Sequence, residues 1–104
     1  MSDFVVVRVA NSYVKSYVKD PTARLDYTWD WAKWLADIDD TIGTATVALP
    51  EGLTAVEDPV VNGAFVTQVV EGGDLGSVYR MICHITTEGG RVDQRSIYLT
   101  IGDR

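Results

Sequence analysis

The chain has 104 residues, 15 acidic and 9 basic, for a formal net charge of −6. That length suits one domain with one core, and the negative balance argues against nucleic acid or an anionic membrane as partner. The longest unbroken apolar run, Phe4 to Val7, is too short for a transmembrane helix or the apolar stretch of a secretory signal. The single cysteine leaves no internal disulfide, so the fold must stand on packing.

Val, Ile and Thr together number 31, against eight Leu plus Met. Branching at Cβ stiffens χ1 and suits a pleated sheet, so the expected class is all-β. Phe4 to Val9 (FVVVRV) reads as a strand, Asn11-Ser12 as a turn, and Tyr13 to Val18 as a second alternating stretch. Residues 1–19 are therefore expected to form an N-terminal arm or extra hairpin, separated at Asp20-Pro21 from a body over 20–104.

Leu25 to Trp31 alternates cleanly, with Leu25, Tyr27, Trp29 and Trp31 on one face and Asp26, Thr28 and Asp30 on the other. Ala32 to Ala36 is read as one helical turn and Asp37 to Asp40 as an acidic loop. Strands are expected over Thr41 to Leu49, Leu53 to Val56, Ala64 to Val70, Val78 to Thr87 and Val92 to Ile101, with turns at Pro50-Glu51-Gly52, Asn62-Gly63 and Glu88 to Arg91. In the closing hairpin Tyr79, Met81, Cys83 and Ile85 share one face, and Ile97, Leu99 and Ile101 point inward. About seven short strands at this spacing, plus the extra N-terminal strand, predict an immunoglobulin-like antiparallel β-sandwich.

Few residues suggest chemistry. Cys83 and His84 are neighbours that fall on opposite strand faces, so they make no nucleophile–base pair; Cys83 reads as core and His84 as solvent- or partner-facing. Asp37, Asp39 and Asp40 lack the glycine and glutamate spacing of a calcium loop. Asp26 and Asp30 sit about 13 Å apart along one strand, too far for a glycosidase pair, and read as surface charges or partners of Arg91 and Arg95. Asp93 and Arg95 read as a structural ion pair. Trp29 and Trp31 read as core, whereas Trp34 breaks the strand period and is the expected exposed contact. No phosphate loop, dinucleotide fingerprint or zinc spacing occurs, so no catalytic residue, metal site or cofactor is expected.

The order of short motifs from Lys19 onward resembles the fiber-tail adaptors, a family of small phage virion proteins. The pieces are Lys19-Asp20-Pro21, Leu25-Asp26-Tyr27, Asp30-Trp31, Trp34-Leu35, the acidic turn into Asp40-Thr41-Ile42, and Pro50-x-Gly52-Leu53. The most distinctive is Ile85-Thr86-Thr87-x-Gly89-Gly90-Arg91-x-Asp93-x-Arg95-Ser96. The resemblance implies a non-enzymatic structural protein of the virion tail, with phage tail and fiber proteins as partners, present in multiple copies in a symmetric assembly. The lone cysteine fits assembly in the reducing host cytoplasm. The arm over 1–18 is longer than the resemblance leads one to expect. Expected contact residues are Phe4, Val6, Tyr13 and Tyr17 on the arm, Trp34, and Asp37, Asp39 and Asp40, with the loops 57–63 and 72–76. Other readings are a carbohydrate-binding immunoglobulin-like module built on the tryptophans, a head or neck decoration protein, and an enzyme domain using Asp26, Asp30 or His84.

Overall fold

The structure, a computed structural model, describes residues 15–103. Eight strands and one short helix run in the order β1 (Lys15–Lys19), β2 (Leu25–Asp30), α1 (Ala32–Ile38), β3 (Ile42–Ala48), β4 (Leu53–Ala55), β5 (Val60–Asn62), β6 (Phe65–Gly72), β7 (Val78–Thr87) and β8 (Val92–Ile101). One sheet has the order β1-β8-β7-β3 and the other β2-β6-β4, with β5 also on β6. The all-β sandwich expected from the β-branched composition is what forms. Its strand order is that of an immunoglobulin-like sandwich, with β2, β6 and β4 facing β8, β7 and β3.

The pairing differs from the expectation in one respect. Strand β1 lies parallel to β8, with Lys15 opposite Ile97 and Lys19 opposite Ile101. Alternation within a strand reveals which face is buried but not the direction of its neighbour. Strands β4 and β5 both pair with β6, at Gly72 to Val70 and at Thr67 to Phe65. They are two halves of one edge strand, interrupted where Glu57, Asp58 and Pro59 intervene.

The core follows the strand period. Tyr27, Trp29 and Trp31 enter from one sheet with Val66 and Val70, and meet Tyr79, Met81, Cys83, Ile85, Ile97, Leu99 and Ile101 from the other. Burial pushes the Cys83 thiol up to about 11, against the opposing influence of the Trp31 indole and the Arg95 charge. The cysteine is thus a protonated core hydrophobe, as its parity predicts.

Lysine 19 is the unusual core member. Its side chain is fully buried at the end of β1, and its ammonium donates to the carbonyls of Asp20 at 2.9 Å and Gly72 at 2.7 Å. Burial lowers its pKa, while Asp20 and Glu71 pull the other way. Because Gly72 belongs to the opposite sheet, this one side chain staples the two layers together.

Two glycines show why the Pro50-x-Gly52-Leu53 turn has its composition. Gly52 has φ +108°, and a Cβ there would lie 2.7 Å from the Tyr79 hydroxyl. Gly73 has φ +103°, donates its N–H to the Gly52 carbonyl at 2.9 Å, and would set a Cβ 2.6 Å from Ile101 Cδ1. The Tyr79 hydroxyl accepts the Asp74 N–H at 3.0 Å, locking the β6–β7 corner from five residues downstream. Gly73→Ala combines a conformation that only glycine adopts cheaply with a clash into the core. It is expected to lower unfolding free energy by about 1–3 kcal/mol, read from urea denaturation; Gly63→Ala, at an open turn with φ +62°, sets the conformational component alone.

Candidate protein-interaction surface

The helix that follows β2 is two turns long rather than one. Its pattern Trp31, Trp34, Leu35, Ile38 has helical spacing, so the apolar side continues through Asp37, which the acidic composition had suggested was loop. Asp30 Oδ1 accepts the Ala32 N–H at 2.9 Å at the start. At the end Asp39 takes the left-handed conformation (φ 52°), and the N–H groups of Asp39 and Asp40 close on the carbonyls of Ala36 and Leu35 at 3.3 and 3.0 Å. Aspartate is among the few residues that tolerate this conformation.

The helix brings Trp34 against Trp31, with ring centroids 5.7 Å apart and planes tilted by 58°. The Arg95 guanidinium lies 4.2 Å from the Trp31 ring and donates to the Asp30 carbonyl at 2.9 Å, while the Trp29 indole donates to the Arg95 carbonyl at 3.1 Å. The motif pieces Asp30-Trp31, Trp34-Leu35 and Asp93-x-Arg95-Ser96 are therefore one cluster in space. Trp34 is half-buried in it rather than freely exposed, because Trp31 supplies the surface it lies on. The three tryptophans form no exposed stacking face: Trp29 and Trp31 are buried.

Trp34 stands between two concavities. On one side a groove of about 260 Å³ opens between β1 and β2, bounded by Tyr17, Trp29 and Ile97 and edged by Lys15, Lys33 and Asp37. On the other a shallower hollow of about 440 Å³ runs onto the outside of the β1-β8-β7-β3 sheet, reaching Arg80, Ser96 and Tyr98. Tyr17 is 42% exposed, and its ring lies 5.3 Å from that of Tyr27, bridging the sheet edges.

The outer face of that sheet is chemically distinctive. Pairing places Val18, Thr100 and Val78 in one row, Ser16, Tyr98 and Arg80 in the next, then Ser96, Ile82 and Ala48, then Gln94, His84 and Thr46, and last Val92, Thr86 and Thr44. Among the described residues these rows hold no acid, and their ionisable groups are Arg80, His84 and Tyr98; Asp93 borders the hollow on the Trp34 side. The outer face of the other sheet carries Asp26, Asp30 and Glu71. Charge depletion with tyrosine and arginine present is the compositional mark of the centre of a protein interface. Sequence reading named Tyr17 and Trp34 but not Arg80 or Tyr98. The signal was available in the even-numbered positions of β7 and β8, which contain no carboxylate.

The remaining expected contact residues divide. Phe4, Val6 and Tyr13 lie outside the described residues. Asp37 is exposed and approaches Lys33 at 3.9 Å, and Asp39 serves the helix end. Asp40 is internal to the fold: its side chain is only 6% exposed. It accepts the N–H groups of Thr41 at 2.8 Å and Gly89 at 3.0 Å and pairs with Arg91 at 2.9 Å. Arg91 thus binds Asp40, while Asp26 and Asp30 are the exposed charges of one of the two expected readings, and Arg95 meets Asp30 at its backbone carbonyl. Asp93 accepts the Gln94 N–H at 2.8 Å. Loop 57–63 contains β5 and presents Val60 and Val61 beside exposed Phe65.

The Asp40 carboxyl is held down to about 2 from 3.8, first by the Thr87 hydroxyl and then by the N–H groups and Arg91, against desolvation. A depressed folded value means that the stabilisation is complete above the unfolded value near 4 and is lost as pH falls through about 2. Asp40→Asn is accordingly expected to lower the thermal midpoint at pH 7, with the gap to wild type closing toward pH 2. A gap that stays constant over that range would show that Asp40 acts through shape alone.

Asp26 and Asp30 face out from one sheet and His84 from the other, with the core between them. Among the described residues no three His, Cys, Asp or Glu side chains are grouped to hold a metal ion, and no helix is long and apolar enough to cross a membrane.

A family model described as podophage GP4 fiber-tail adaptor protein gp77 matches residues 19–100. The chain belongs to this fiber-tail adaptor family. No curated protein matches it. The match begins at Lys19, the buried staple, and takes in every motif that carried the resemblance. It assigns this adaptor a structural role at the tail of the virion. Residues 1–18 fall outside the match.

Proposed function

We propose that this adaptor is a non-enzymatic docking protein that holds an appendage to the phage tail through the Trp34-centred surface and the carboxylate-free sheet face. The observation that carries this reading is the outer face of β1, β8, β7 and β3, whose paired rows hold no carboxylate among the described residues. A solvated face of so acidic a chain has no reason to lack carboxylates, whereas one that must be desolvated against a partner does. The aromatic anchors Tyr17, Trp34 and Tyr98 lie on or beside it, and such residues dominate binding energy at interfaces. The motif residues themselves mostly build the scaffold: Lys19 joins the sheets, Asp40 and Arg91 fix the hairpin end, and Arg95 braces Trp31.

Copies of the chain act together in a symmetric assembly formed in the host cytoplasm, with tail and fiber proteins as the partners. Phage particles produced without this protein are expected to contain filled capsids and tails but no fibers, as seen by negative-stain microscopy. Particles that keep their fibers and adsorb normally would overturn the adaptor reading.

A further inference from the structure

Natural sheets blunt their edges with charge, proline, interruption or brevity, because an unprotected edge is a template for another chain's strand. Among the described residues, β1 carries Lys15, β2 carries Asp26 and Asp30, and the β4/β5 edge is broken at Glu57-Asp58-Pro59. Strand β3 (IGTATVA) differs. It holds no charge and no proline, and past an irregularity at Gly43 it pairs regularly with β7 from Thr44 to Ala48. No described strand pairs with its other side.

The hydrogen-bonding groups of that edge follow from alternation. The Thr87 N–H bonds the Arg91 carbonyl, so it points to β8. Thr86, His84 and Ile82 therefore point to β3, where they face Thr44, Thr46 and Ala48. Ala45 and Val47 direct their N–H and C=O groups away from the sheet.

The core is uncovered on the same side. Ala45 lies opposite Ile85, Val47 opposite Cys83, and Val61 of β5 opposite Val66, so all three have inward parity. Those opposing residues are fully buried, yet Ala45 and Val47 are half-buried and Val61 is 44% exposed. A hollow of about 490 Å³ lined by Leu35, Ile42, Val61 and Ala64 opens between the two edges.

A strand that fits this edge is uncharged, places small apolar side chains on the inner face, and accepts Thr46 as a neighbour on the outer one. Strand β3 itself meets these conditions. Antiparallel pairing centred on Thr46 sets Ala45 opposite Val47 of a second copy and Val47 opposite its Ala45, which satisfies every outward group of the regular stretch. A shift of the centre by one residue would set Val47 against the Gly43 irregularity or Ala45 against Leu49, beside Pro50. At the centre Thr46 meets Thr46, and the fold already uses such a pair: the hydroxyls of Thr28 and Thr67, directly opposite on β2 and β6, lie 2.9 Å apart. In a chain of net charge −6, this strand lets two copies meet without opposing carboxylates along the joint.

We infer that β3 of one copy pairs with β3 of a second about a two-fold axis at Thr46, joining two four-stranded sheets into one of eight. The contact is self-complementary and closes at two copies. It makes the two outer sheet faces continuous and brings the uncovered β5 edges together beneath the joined strands. The inference rests on the multi-copy reading above and names one contact between the copies.

Light scattering of the purified full chain tests it. At about 100 micromolar, wild type is expected near twice the 11.4 kDa monomer mass. Thr46→Lys and Thr46→Glu alter an exposed side chain and set like charges opposite each other at the axis, so each should weaken association tenfold or more. Mixed in equal amounts they should recover it, because opposite charges then meet. Under oxidation Thr46→Cys should form a covalent dimer, whereas Thr44→Cys, which faces Ala48 across the joint, should not. Circular dichroism confirms that each variant is folded; if a charged variant is not, the cysteine variants decide. A monomeric wild type, association untouched by both charged variants, or a mixture no tighter than either alone overturns the inference. Cross-linking through Thr44→Cys but not Thr46→Cys also overturns it, since the axis then lies elsewhere. Fibers missing from particles that lack the protein, together with a monomeric wild type, would leave the adaptor reading standing while this inference falls.

Discussion

Trp31→Ala is expected to remove about 3–5 kcal/mol of stability, the range for emptying the site of a large buried aromatic. Trp31 is fully buried and is the largest such side chain in the core. It stands where β2 ends and α1 begins: its N–H bonds the Ala64 carbonyl at 3.0 Å and its carbonyl accepts the Leu35 N–H at 3.0 Å. One face supports Trp34 and another carries Arg95. Its removal leaves a cavity and withdraws the surface on which both neighbours rest. A domain of this size has about 5–15 kcal/mol in total, so a substantial fraction of the chain would be unfolded at 37 °C. Trp31→Phe should be far milder, since an aromatic ring persists at the site and most of its volume stays filled. Urea denaturation of both variants, with Arg95→Ala and the double variant, would measure the coupling. A loss below about 1 kcal/mol for Trp31→Ala would contradict the placement of this ring at the centre of the core.

The second large effect concerns binding. Tyr17→Ala and Trp34→Ala are each expected to weaken docking to the tail or fiber partner by roughly 30-fold or more, about 2 kcal/mol, the threshold for an interface anchor. The two should combine less than additively, because both line the groove between β1 and β2. Tyr17 is the cleaner probe: it is exposed, whereas Trp34 also braces Trp31 and its loss will cost some stability. Arg80→Glu should act in the same direction by placing a carboxylate on the face that has none, with Thr54→Ala on the other sheet as the silent control. Surface plasmon resonance against purified tail or fiber protein reads these effects. Equal affinities for wild type and Tyr17→Ala would remove the groove from the interface.

Much of this architecture is legible in the residues. Two-residue alternation in Leu25 to Trp31 and Val78 to Thr87 identifies the core side chains, and Cys83 follows from parity. Direction and long-range pairing are not encoded in parity, which is why the parallel β1–β8 ladder and the Asp40–Arg91 pair require the folded chain. The reach of α1 was obscured by composition: Asp37 suggests a loop, but Ile38 completes the apolar side begun at Trp34. In the sequence Lys19 is only part of a break before proline; its burial depends on Gly72, 53 residues away. The proposed contact surface is half visible in the sequence. An aromatic off the strand period marks Trp34, but a missing charge class becomes evidence only after the strands of one face are known to be neighbours.

The proposed joining of fiber to tail through the Trp34-centred surface is open to direct measurement. The direct measurement adds purified protein to fiberless particles from a deletion phage in the presence of fiber protein, and counts fibers per particle by electron microscopy. Wild-type protein is expected to restore them, and the folded Tyr17→Ala, Arg80→Glu variant to leave most particles bare. Full restoration by that variant, or none by wild type, would contradict the account.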